Sequence, residues 1–202
     1  MARHLNDFVK KALARGAYTA GAGNGEEAVR QTIIDLCERA GVWQFEQEFT
    51  LQIGVPDYPL DVPADTRLVC ISQVEIGDIK YTPVQASLVC RCGGWSISVP
   101  DNQTLWITPT PYPACATYVK VQMWVAPLEE CCEFPDLLFQ EFSDTIAYGA
   151  SSRLLMQPKQ EYTNQGLANR HFNLYEAGVT RAKNKRVLER TPGPLLMRGG
   201  YF

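Results

Sequence analysis

The stretch DLLFQEFSDTIAYGASSRLLMQPKQEYTNQGLANRHFNLYEAGVTRAKNK, residues 136–185, decides how this chain is to be folded. Phe139, Phe142, Ile146, Ala150 and Leu154 step by three and four, which puts them on one face of a helix opened by Pro135 and Asp136 and ended by Pro158. After the loop PKQEYTNQG, with Thr163 or Asn164 as cap, a second stripe runs through Ala168, Phe172, Tyr175, Val179 and Ala182. Gly149, Ala150, Ser151 and Ser152 are small enough to let that second helix come close. Two stripes joined by a short connection predict an antiparallel helical hairpin over about 135–190. Beyond it, TPGPLLMRGGYF (191–202) is too apolar to be solvated and too broken by Pro and Gly to be core, so it predicts a segment that meets a partner.

Upstream of the hairpin the period changes. Val119, Val121, Met123 and Val125 alternate with Tyr118, Lys120, Gln122 and Trp124, so one set faces a core and the other faces outward, as in a half-buried strand. Trp95, Ile97 and Val99 alternate with Ser96 and Ser98 in the same way, and Leu68, Cys70, Val74 and Ile76 mark a longer strand opposite Val69 and Ile71. Prolines at 56, 59, 63, 83, 100, 109, 111 and 113, with the turn signals Gly77-Asp78 and Asp101-Asn102, cut residues 45–125 into short strands. At the start of the chain, Leu5, Phe8, Val9 and Leu13 have helical spacing. After AGAGNG, a second helix is predicted from about Glu26 to Ala40, with Glu26 and Glu27 in its first turn and Gly41 after its last. The expected fold class is therefore α+β: a helical bundle of two N-terminal and two C-terminal helices, with an inserted small antiparallel β-sandwich or barrel and an extended C-terminal tail. In domains, residues 1–44 plus 134–190 form the helical part, 45–133 the β-module and 191–202 the tail. Neither helical pair buries its stripe alone, so the two pairs are expected to pack together.

With 202 residues, 46% hydrophobic and 20% charged, the chain has the composition of a globular protein. No apolar run approaches the roughly 18–20 residues that cross a bilayer, and Met1–Gly16 carries Asp7 and polar breaks in place of a signal-peptide apolar core. Seven cysteines, Cys37, Cys70, Cys90, Cys92, Cys115, Cys131 and Cys132, are an odd number in a chain large enough to fold without staples, which points to a reducing compartment. Charge is uneven. Residues 41–135 hold Glu46, Glu48, Asp57, Asp61, Asp65, Glu75, Asp78, Asp101, Glu129, Glu130 and Glu133 against Arg67, Lys80, Arg91 and Lys120. From Arg181 onward, Arg181, Lys183, Lys185, Arg186, Arg190 and Arg198 face only Glu189. Two accounts stand side by side: different neighbours at the two ends of the molecule, or a basic last turn favoured by the helix dipole.

No pattern of catalysis emerges, and no catalytic, cofactor-binding or metal-binding residue is assigned. GAGNGE (21–26) lacks the Lys-Ser/Thr of a phosphate loop, misses the dinucleotide glycine spacing and follows a helix, so it reads as a flexible linker. Cys90-x-Cys92 and Cys131-Cys132 lack the CxxC spacing of zinc ligands, and the chain has only His4 and His171, so small buried thiols are the plainer reading. His171, beside Arg170 and Phe172, is read as a surface or packing residue. Trp95, Trp106 and Trp124 sit in an acid-rich module, which argues against tight nucleic-acid binding. Two other classes remain as rivals to a structural protein. One is a soluble ligand-binding or host-interaction module whose β-sandwich pocket holds a small molecule or glycan by Trp95 and Trp106. The other is a thiol or metal enzyme built on Cys90, Cys92, Cys131 and Cys132.

The hairpin segment resembles the C-terminal helices of tailed-phage head-to-tail adaptor proteins, also called connector or head-completion proteins. So does VRQTIIDLCERAGVWQFEQEFTLQIGVPDYPLDVPADTRLVCISQVEIGD (29–78), with its Cys-Glu-Arg, its Val-Trp and its run YPLDVPADTRLVCISQV. The resemblance spans roughly residues 26–186, and the order and spacing of the motifs carry it. It implies a non-enzymatic virion protein without cofactors or bound metal, made in the host cytoplasm and located at the neck between head and tail. Such proteins form homo-oligomeric rings, commonly of 12 copies, that dock on the portal protein and present a platform to a downstream nozzle, tube or fibre-attachment protein. Double-stranded DNA passes the lumen without specific binding, and no membrane is involved. A terminus that clamps the portal is carried over to residues 191–202. Pro192 and Pro194 keep that segment extended, Leu195, Leu196 and Met197 anchor it, Arg198 adds a charge, and Tyr201 and Phe202 form a terminal aromatic pair.

Overall fold

The computed structural model describes residues 2–77, 79–81, 90–92, 95–99, 103–108 and 118–190. Within them the chain is mixed α+β, with antiparallel sheets and four helices. In order, it forms β1 (Ala2–His4), α1 (Leu5–Leu13), α2 (Ala22–Ala40), β2 (Gln44–Thr50), β3 (Asp57–Pro59), β4 (Thr66–Ile76), β5 (Ile79–Tyr81), β6 (Cys90–Cys92) and β7 (Trp95–Ser98). There follow β8 (Thr104–Thr108), β9 (Tyr118–Pro127), β10 (Glu133–Pro135), α3 (Asp136–Leu155) and α4 (Gln165–Arg190). Two compact units result. One comprises Met1–His4 with Ile33–Asp136, the other Leu5–Thr32 with Leu137–Phe202, so the division falls inside α2.

The first unit holds two open four-stranded sheets, ordered β2-β9-β4-β5 and β3-β8-β7-β6, and a two-stranded ribbon in which β1 pairs with β10. Neither larger sheet closes into a barrel among the described residues. Both feed one core: Ile71, Val74, Ile76, Val119, Val121 and Met123 from the first, and Tyr58, Ile97, Leu105 and Ile107 from the second. The alternation read in β9 is present, with Val119, Val121, Met123 and Val125 fully buried. Trp124, expected to face outward, is only 6% exposed, because from Met123 to Pro127 the strand is buried on both faces. In β4 the core face changes partway: Ile71 is buried while Cys70 is exposed, yet Val74 and Ile76 are core. Register shifts against β9 between Leu68 and Cys70 and between Ile71 and Gln73 account for this, since one extra residue reverses the side-chain alternation. On the opposite face of that sheet Glu48, Lys120, Glu75 and Lys80 lie in register across its four strands. Lys120 bridges Glu46 (2.6 Å) and Glu48 (3.6 Å), and its hydrogen bond to Glu46 raises its pKa. Asp78, the pair Asp101-Asn102 and the prolines at 83, 100, 109, 111 and 113 lie outside the described residues.

In the second unit α2 starts at Ala22, four residues earlier than its periodicity suggested. The glycine-rich run read as a linker therefore becomes its first turn, with Gly25 N–H donating to the Gly21 carbonyl. A Cβ on Gly25 would meet Val9 Cγ1 at 3.0 Å, so the bare backbone there seats α1. The other end of α2 stops where expected: Gly41 has φ 60, the left-handed geometry that ends helices, and donates to the Cys37 carbonyl.

Candidate functional site

The hairpin is assembled residue by residue. Lys185 pairs with Glu141 at 2.5 Å, Gly178 meets Thr145, Gly149 meets Tyr175 and Ser151 meets His171, so positions rise along α3 as they fall along α4. A Cβ on Gly149 would lie 2.5 Å from Thr32 Cγ2 and 2.7 Å from Tyr175 Cδ2. One on Gly178 would lie 2.5 Å from both branches of Thr145. The small residues thus set the helix separation, as their size suggested. Of the two cap candidates, Asn164 caps α4: its Oδ1 accepts from Leu167 N–H at 3.0 Å. Thr163 instead closes the loop, donating to the Gln157 carbonyl at 2.6 Å.

The α4 stripe differs from its sequence reading at one turn. Ala168, Tyr175, Val179 and Ala182 are buried, but Phe172 is 46% exposed and His171 takes the inward place at 8%. Ser151 Oγ lies 3.1 Å from His171 Nδ1, and the Arg15 carbonyl lies 3.4 Å from the same hydroxyl. Tyr148 leans on the imidazole at 5.3 Å between ring centres, and the Arg15 guanidinium lies 3.8 Å over the Tyr148 ring. Burial first, then Arg15 and Arg170, pushes the His171 pKa below 6.5. Ser151 is fully buried, so this pair is a packing device and not an accessible nucleophile. Alongside it, Lys11 of α1 and Arg15 of the turn that follows straddle Asp144 of α3 at 3.6 and 2.7 Å, and Lys11 also donates to Ser143 Oγ at 2.7 Å.

Among the described residues Cys131 lies near Cys37. Cys37 and Cys131 are buried, Cys70 and Cys132 exposed, and burial, more than the neighbouring Glu38 and Cys131, drives the Cys37 thiol pKa upward. Cys115 and the side chains of Cys90, Cys92 and Trp95 lie outside the described residues. Among the described residues no three His, Cys, Asp or Glu side chains are grouped to hold a metal ion. Trp106 is 48% exposed, while Leu105 and Ile107 on either side of it face the core, so it does not line the interior. No helix among the described residues is long and apolar enough to cross a membrane. The residues assigned to portal contact, Pro192, Pro194, Leu195, Leu196, Met197, Arg198, Tyr201 and Phe202, lie outside the described residues.

A concave site that sequence reading missed lies within the first unit. A cleft of about 530 Å3 is lined by Trp43, Asp65, Glu130, Cys132, Glu133 and Phe134, among others. The loop residue Asp65, at φ 58, accepts from Leu128 N–H at 2.8 Å, which fixes the turn after β9 beside it. The pairing of β10 with β1 holds Glu133 and Phe134 in place. No spacing rule connects Trp43, Asp65 and Glu130 along the chain.

Charge separates with the units. The first holds fourteen Asp and Glu against six Lys and Arg, a formal charge of −8; the second holds eight against thirteen, +5; together they give the −3 of the whole chain. No protein-family model matches this chain, and no curated protein matches it in sequence.

Proposed function

We propose that this protein is a virion structural protein: a head-to-tail adaptor whose copies form a ring on the portal, extend the DNA channel and carry the next tail component. The observation that carries this reading is the resemblance of residues 29–78 and 136–185 to phage adaptors in matching order and spacing. In this reading the four helices pack as one bundle that forms the ring wall, and the two sheets stack as a β-sandwich. Three features agree with it. The hairpin is held at close range by Gly149 and Gly178. The opposite charges of the two units suit subunits that use different surfaces toward their two neighbours. The acidic unit repels phosphate, which favours passage of DNA over its retention.

The segment 191–202 is the portal anchor in this reading. Ordering it costs conformational entropy, but many copies docking at once supply avidity. Copurification with the portal protein of the same phage, followed by imaging of the complex, tests both statements. A stoichiometric ring is expected with the full chain, and a complex weakened at least tenfold after deletion of 191–202. No complex with the full chain would overturn the adaptor reading; an undiminished complex after the deletion would overturn only the anchor.

A further inference from the structure

The cleft of the first unit has an apolar floor and an unneutralised acidic rim. Trp43 is half-buried and Phe134 is 1% exposed, while Asp65, Glu130 and Glu133 are exposed. Elsewhere in that unit Glu38 pairs with Arg67, Glu46 and Glu48 with Lys120, Glu75 with Lys80 and Asp136 with Arg3, while Asp57, Asp61 and Glu129 have no ion pair among the described residues but do not line the cleft. Among the described residues, no ion pair or side-chain hydrogen bond engages the Asp65, Glu130 or Glu133 carboxylate. The complementary feature is the C-terminal half of α4. There Lys185 is neutralised by Glu141, but Arg181 and Lys183 are exposed and have no acidic partner among the described residues.

We infer that this cleft receives the cationic end of α4, around Arg181 and Lys183, from a second copy of the chain. The occupant is chosen by charge complementarity. The units carry −8 and +5, the cleft gathers three unpaired carboxylates, and residues 181–190 hold five cations against one acid. Trp43 offers an aromatic face for the long stem and planar head of an arginine, which a small cation would not use. A cleft on one unit that takes an element of the other unit from the next copy is a heterologous contact, the kind that propagates from subunit to subunit until it closes. This deepens the ring reading and rests on it, by naming the two surfaces that meet.

Sedimentation velocity of the full chain at low and high ionic strength tests the contact. The wild type is expected to associate at low salt and dissociate near 1 M, where the screening length falls to about 3 Å from about 10 Å at 0.1 M. The double variants Glu130→Lys/Glu133→Lys and Arg181→Glu/Lys183→Glu are each expected to associate at least tenfold more weakly. Mixing the two is expected to restore association, because each reversed surface then finds its complement. Restoration by mixing also separates a direct contact from misfolding of either variant. A wild type that stays monomeric at low salt, or variants that associate as well as the wild type, or a mixture that gains nothing, overturns the inference. Capture of the cleft by the portal instead would appear as portal binding lost in the Glu130→Lys/Glu133→Lys variant alone, with self-association unchanged, and would also overturn it. The adaptor reading fails separately, by absence of any portal complex.

Discussion

His171 shows how a single side chain links packing to pH. Its imidazole lies 3.1 Å from Ser151, and its burial, at 8% exposed, together with the facing Arg15 and Arg170 favours the neutral form. The folded pKa lies below the ordinary 6.5, so the unfolded chain takes up the proton first as pH falls. This contribution to stability is complete above about pH 6.5, declines below it, and levels off once the folded state is protonated as well. Urea unfolding at pH 7.5 and 5.5 is expected to show a larger loss for the wild type than for His171→Gln, which keeps a polar group near Ser151 but does not titrate. Equal losses in both would remove His171 as the cause. At sequence level His171 and Phe172 were equally compatible with a stripe stepping by three and four, and hydrophobicity favoured Phe172. The Ser151 hydroxyl and the Tyr148 ring on α3 decided for histidine.

Helices and strands differ in how fully their sequences announced them. β9 was legible because strict alternation over eight residues has one interpretation. β4 was not, because register shifts against β9 reverse its faces and leave no sequence mark. The start of α2 was hidden by its glycines, whose low helix propensity is overridden where Gly25 admits Val9 and Leu13. For α3 and α4 the small-residue signal was legible, and it has a testable consequence. Gly149→Ala or Gly178→Ala gains up to about 1 kcal/mol of helix propensity. Each also forces a methyl into space already filled by Thr32 and Tyr175, or by Thr145. Overpacking of this kind typically costs about 1–3 kcal/mol, so a net loss is expected from each variant in denaturant melts. A gain in stability would show that the helices separate without strain.

At the scale of the molecule, charge is the property with consequences. A net charge of −3 conceals an acidic unit and a basic one. The protein is expected to be retained at pH 7 and low salt by both anion and cation exchangers, although its sequence pI of about 5.5 predicts only the former. Arg181→Glu/Lys183→Glu is expected to abolish retention on the cation exchanger while leaving the anion exchanger unaffected or stronger. Failure of the wild type to bind the cation exchanger would show that the basic surface is not displayed. The sequence displayed this polarity as two runs, but it did not show that only some of the acids are neutralised. That depends on which lysine or arginine a fold brings beside each carboxylate.

What the sequence determined by itself was local: the period of the helices and of β9, the helix stop at Gly41, the small face of α3 and the gross asymmetry of charge. These follow from spacing and residue size, which are properties of neighbours along the chain. Only the tertiary structure decided which face of β4 is core, which residue fills the His171 place, and that Trp43, Asp65, Glu130 and Glu133 share one cleft. Those outcomes depend on pairings between residues tens of positions apart, where register shifts and side-chain fit, and not periodicity, select the arrangement.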